Sequence, residues 1–194
     1  MTAIPETTLR TGVVRPILSD REPVLLRPSV PVAPDDPALP ADMADLAATL
    51  EDFRRRVGFG RGISAPQIGI GKRLITLNLG VGPMAVINPE IMWRSDETQT
   101  LWDDCLSVPD VLVRVERAAS ITVDFTDHDG RLCRWDRLPA DLSELLQHEI
   151  DHLDGVLMTD LAATEGDIAP MSARAELIDH YRPPASKPPV TVYL

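Results

Sequence analysis

Two stretches of the chain carry apolar residues at helical spacing. In residues 40–57, Met43, Leu46, Leu50, Phe53 and Val57 recur every three or four positions, which predicts an amphipathic helix stopped by Gly58. In residues 142–154, Leu142, Leu145, Leu146, Ile150 and Leu153 form a second stripe, and Gly155 is placed to end it. Asp141 stands where it can cap this helix, with Glu144 at capping-box spacing. Between the helices lies a glycine-rich turn over residues 58–62, and then the pattern turns strand-like. Residues 72–79, 84–93 with a break at Pro89, and 111–115 read as strands. Residues 119–126 and 131–138 read as a hairpin closed by His128, Asp129 and Gly130. Helix, several strands, helix is a segregated α+β order and not alternating βαβ.

Proline adds the flanks. Eight of the 18 prolines fall in residues 1–40 and five in 170–189, so the start reads as extended arms and the end as an irregular tail. Within that tail, residues 171–181 suggest a short helix, and residues 190–194 a strand that adds to a sheet edge. The 194 residues suffice for one core without disulfide staples. No apolar run is long enough for a membrane helix. Residues 1–10 lack the features of a secretory signal, and two cysteines make no disulfide scaffold, so a cytoplasmic chain with reduced thiols is expected. A net charge of −11 argues against nonspecific nucleic-acid binding and against docking on anionic lipid.

The candidate chemistry sits on the second helix, in His148-Glu149-Ile150-Asp151-His152. His148 and His152 are four apart, so they share one helical face and can share a metal. Glu149 beside them can take a proton from water whose pKa a metal lowers to about 7. Two histidines leave the site one protein ligand short of a usual catalytic site. Met158 is a poor candidate for the third, while Glu165, Glu176 and Cys105 are all open by spacing. Cys133 reads as a small buried hydrophobe within a strand. Cys105 departs from that pattern, since Asp103, Asp104, Ser107 and Pro109 surround it as in a site loop. Asp151 reads equally as a solvated residue or as one that supports the metal ligands.

Three segments, in order, resemble the motifs of the peptide deformylase family. They are Gly60-Arg61-Gly62-Ile63-Ser64-Ala65-Pro66-Gln67, Asp103-Asp104-Cys105-Leu106-Ser107, and Gln147 through His152. The resemblance spans roughly residues 13–162, which sets off an arm over 1–12 and a tail over 163–194. It implies antiparallel sheets around a central helix that carries the two histidines. It implies one divalent metal, commonly Fe²⁺ with Zn²⁺ or Ni²⁺ possible, on Cys105, His148 and His152. It implies Glu149 as general acid and base, with the Gln67 side chain and the Leu106 backbone N–H holding the carbonyl oxygen. The implied substrate is an N-formyl peptide beginning with formyl-methionine, and the products are formate and a free amine.

The departures cluster around the substrate. Arg61 stands between two glycines where the family has an aliphatic residue, and Asp103-Asp104 replaces Glu-Gly. Gly60, Arg61, Gly62, Asp103 and Asp104 are therefore the candidate substrate-binding residues. The ligands, the base and Gln67 are spared, so the expectation is retained hydrolysis with altered preference. Arg61 and Asp104 are expected to pair across the site mouth, the alternative being Arg61 in solvent. Competing readings are a paralogue acting on another formylated or acylated amide, a zinc endopeptidase whose third ligand is Glu165 or Glu176, and a non-catalytic metal-binding module. Some family members dock on the ribosome through a basic C-terminal helix. Here only Arg174, Arg182 and Lys187 are basic after Pro170, so no strong ribosome binding is expected.

Overall fold

The computed structural model describes residues 12–179, 189 and 191–193. Among the described residues nine strands, all paired antiparallel, form two sheets. The larger sheet contains β1 (Gly62–Ser64), β2 (Leu74–Asn78), β3 (Pro83–Arg94), β6 (Ile121–Thr126), β7 (Leu132–Trp135) and β9 (Val192–Tyr193), in that spatial order. The smaller sheet contains β4 (Thr98–Cys105), β5 (Val108–Ala118) and β8 (Ile168–Pro170). Two helices, α1 (Leu39–Val57) and α2 (Ala140–Asp154), complete the molecule with several short helical turns.

Helix α1 carries Pro40 in its first turn, where the missing N–H costs nothing. It ends with Gly58 in the left-handed region at φ 82°, behind Arg54, Arg55 and Arg56, whose charge suits a helix C-terminus. Met43, Leu46 and Leu50 of its stripe are buried against Ile63, Ala65, Leu74 and Ala85, whereas Val57 is exposed. The stripe therefore leaves the core in the last turn.

Helix α2 buries all five residues of its stripe against the larger sheet, alongside Phe125 and Trp135. Ser143 Oγ and Gln147 Nε2 donate to the Ala118 carbonyl at 2.8 and 3.0 Å, while Gln147 Oε1 accepts from Ala118 N–H at 3.1 Å. These polar bonds pin the helix to the end of β5. The expected capping box is not formed. Pro139 occupies the cap position and makes no side-chain cap bond, so Asp141 lies inside the first turn and Glu144 turns elsewhere. Gly155 ends the helix as expected, at φ 78°.

The break in β3 is a bulge. Asn88 adopts φ 50°, the register shifts between Ile87 and Glu90, and Pro89 has no N–H for the ladder. The Asn88 amide instead pairs with the Val32 backbone at 2.8 and 2.9 Å, which ties down the N-terminal arm. That arm continues across the site loops, where Leu18 N–H donates to the Gln67 carbonyl and Asp20 N–H to the Ser107 carbonyl. Residues beyond 162, expected as largely irregular, supply β8 to the smaller sheet and bury Ile178, while β9 joins β7 at the edge of the larger sheet as expected for residues 190–194. A 3-10 turn, Met171–Ala173, and a π-helical turn, Ala175–Asp179, occupy the place of the expected short helix, whose last two residues lie outside the described ones. Among the described residues no helix is long and apolar enough to cross a membrane.

Candidate active site

The β4–β5 hairpin and helix α2 meet at one buried cluster. Cys105 ends β4, and only Leu106 and Ser107 separate it from β5. The register slips between Asp103 and Cys105, which re-aims the cysteine toward the helix. Cys105 Sγ lies 3.2 Å from His152 Nε2, and the ligand atoms of Cys105, His148 and His152 fall within 4.8 Å of one another. One thiol and two imidazoles at that spacing fit a borderline divalent ion such as zinc, iron or nickel. Glu165 and Glu176 are exposed and lie outside this cluster, so of the three candidates for a third ligand the structure brings Cys105 to the histidines.

The cluster has a supporting chain of charges. His148 Nδ1 bonds to Asp103 Oδ2 at 2.9 Å, which leaves Nε2 for the cluster. Arg117 bonds to Asp103 Oδ2 at 2.9 Å and to Asp151 Oδ2 at 2.8 Å. Asp151 thus joins the network and is not simply solvated. Burial pushes the Asp103 carboxyl up, but His148 and Arg117 outweigh it and hold it well below the usual carboxylate range. Burial pushes His148 down, but Asp103 and Cys105 carry it well above an ordinary histidine. Burial and the neighbouring His148 push His152 well below.

Glu149 is buried on the same helix, and its Oε2 has no hydrogen-bond partner. Burial pushes its carboxyl up to about 7 against the pull of His148. Gly62 leaves room for this placement, since a Cβ there would meet Glu149 Oε1 and force the side chain to shift. Gln67 is buried, with its Oε1 accepting from Ser64 N–H and Oγ at 2.9 and 3.1 Å. That orientation aims Nε2 toward Ser107 Oγ at 3.3 Å and Cys105 Sγ at 3.8 Å. Ser107 N–H also donates to the Cys105 sulfur, at 3.4 Å.

Known proteins resemble this chain in sequence and in fold. The family described as polypeptide deformylase matches residues 14–167. The chain belongs to that family. A peptide deformylase of Thermotoga neapolitana is 36% identical over 139 residues, 72% of this chain and 81% of that protein. One of Rhizobium meliloti is 36% identical over 154 residues, 76% of this chain and 84% of that protein. The deformylase crystal structure from Thermotoga maritima superposes with a TM-score of 0.71 at 33% identity, covering 78% of this chain and 99% of that one. A Synechococcus elongatus deformylase, solved in complex with actinonin, gives 0.72 at 28% identity, covering 93% and 94%. Deformylases are metallohydrolases that act on formylated peptides, and the α+β fold expected here is theirs.

Gly60, Arg61, Gly62, Asp103, Asp104 and Leu106 all line a cavity that reaches His148 and Glu149. The expected Arg61–Asp104 pair is replaced by two others. Arg61 is half-buried and pairs with Glu144, and it donates to the Asp141 carbonyl at 2.9 Å. Arg174 Nε donates to Asp104 Oδ2 at 2.8 Å, and its guanidinium lies 3.7 Å from the Phe59 ring centroid. Asp104 acts on Arg61 through space. Sequence reading missed Glu144, Arg117 and Arg174 as parts of the site. Glu144 lies one turn before His148 on the same face of α2, a signal the capping-box reading obscured.

Proposed function

We infer that this deformylase holds one divalent ion on Cys105, His148 and His152 and works through Glu149, Gln67 and the Leu106 backbone. N-terminal deformylation of peptides, with release of formate, is the activity of the family to which the chain belongs. The observation that carries the assignment is the buried cysteine and histidine cluster with the unpartnered Glu149 oxygen beside it. When bound, the ion supplies Lewis acidity toward water and the formyl carbonyl near neutral pH. Glu149 takes the proton of the attacking water and passes it to the leaving amine. Gln67 Nε2 and Leu106 N–H donate to the carbonyl oxygen as its charge grows. Asp103 fixes the ring of His148, and the Asp103–Arg117–Asp151 chain holds that carboxylate in place. Iron is the ion we expect in the cell, which we place as the cytoplasm, with zinc or nickel able to occupy the site.

The test is formate release from formyl-tripeptides by protein purified without oxygen and loaded separately with Fe²⁺, Ni²⁺ or Zn²⁺. The Glu149→Gln variant should keep one ion per chain and lose about 10²–10⁴ in rate. Unchanged turnover in that variant would remove Glu149 from the chemistry.

A further inference from the structure

The cavity beside His148 and Glu149 is small and walled by charge. It measures about 30 Å³, room for water but far from the roughly 150 Å³ of an apolar cavity that takes benzene. Its walls include Phe59, Arg61, Asp104, Leu106, Glu144 and Leu145. Arg61 and Glu144 lie bonded to each other in its wall, with side chains 16% and 14% exposed. Arg174, held between Asp104 and the Phe59 ring, binds the glycine turn to the β4–β5 hairpin beside the cavity. Because His148 and Glu149 also line it, this is the space next to the reacting groups that a formamide's neighbouring substituent can enter.

We propose that the substituent next to the scissile formamide is short and hydrogen-bonding, a hydroxyl- or amide-bearing side chain, and not the thioether of methionine. This rests on the deformylase reading and specifies its substrate. A four-atom apolar chain would have to part Arg61 from Glu144 and return no hydrogen bond to either. The partner groups would then stay buried and unpaired, a strongly unfavourable outcome. A hydroxyl accepts from the guanidinium and donates to the carboxylate at once, so the pair can admit it without losing its bonds. Arg61 and Glu144 are on this account specificity-determining residues for the reaction.

The experiment compares formyl-Ser-Ala-Ser with formyl-Met-Ala-Ser on metal-loaded protein, by formate release. A second measurement, calorimetric binding of the products Ser-Ala-Ser and Met-Ala-Ser, reads the cavity without turnover. The wild type should favour the serine substrate at least tenfold in kcat/KM, and Arg61→Leu/Glu144→Leu should reverse that order. A tenfold preference of the wild type for the methionine substrate, or equal turnover, would overturn the proposal and leave the deformylase reading intact. Should neither substrate release formate, the deformylase reading fails and the proposal falls with it. With the wild type active, tighter binding of Ser-Ala-Ser than of Met-Ala-Ser supports the proposal, and equal or weaker binding overturns it. The wild-type ratio is decisive by itself, so a double variant that does not fold leaves the test standing.

Discussion

A single methylene separates Asp103 from the glutamate that the resembling family motif carries at this position, and yet one of its oxygens serves both His148 and Arg117. Asp103→Asn keeps the shape and removes the charge that orients the ligand ring. Zinc affinity, measured by competition with a chelator, should fall about 10–100-fold. The same residue sets a pH dependence. In the metal-free protein, against the effect of burial, Asp103 and Cys105 hold His148 well above the usual histidine value, which favours its protonated form. A ligand must be deprotonated, so zinc uptake releases that proton and apparent affinity rises with pH. Calorimetry in two buffers of different ionisation enthalpy should show fewer protons released by Asp103→Asn. At this scale the sequence was legible where chemistry is dense. Cys105, His148, Glu149 and His152 stand out by type and spacing, whereas Arg117 and Glu144 do not, because their partners are distant in the chain and only the fold brings them together.

Among the elements, α2 was legible because its stripe is purely apolar, and β4 was not. The positions of β4 that turn inward include Leu101, Asp103 and Cys105, so site residues interrupt the hydrophobic alternation by which a strand is recognised. Strand β1 hid for a different reason, since it starts at Gly62 and reads as part of a turn. Gly155 shows how strictly an element end can be fixed. Its φ of 78° disfavours a side chain, and an added Cβ would also meet the Arg27 backbone at 2.6 Å. Gly155→Ala should cost at least about 1–3 kcal/mol in urea unfolding. The Arg61–Glu144 pair joins the glycine turn to α2, and its energetics are those of a buried pair. Arg61→Leu alone strands Glu144 and should cost toward the lower end of about 3–5 kcal/mol, since burial already favours proton uptake by Glu144. Arg61→Leu/Glu144→Leu should return stability to near the wild-type value, read from the same urea transitions.

Across the whole molecule, residues after 162 were the least legible part. Proline content pointed to an irregular tail, but edge strands tolerate proline, and β8 ends on Pro170 at the margin of the smaller sheet. Of the three basic residues after Pro170, Arg174 is committed to Asp104 and Phe59, while Arg182 and Lys187 lie outside the described residues. Salt-sensitive co-sedimentation with ribosomes should accordingly be absent. Removing the ion should be felt globally as well. At an ion concentration about 1,000 times its dissociation constant, binding adds about 4 kcal/mol, so a chelator should lower Tm by roughly 10 °C in a scanning measurement. The three ligand atoms come from the hairpin of one sheet and the helix packed on the other. Neither sheet alone presents all three, so an ion held by the full set would act as a clasp between the two sheets.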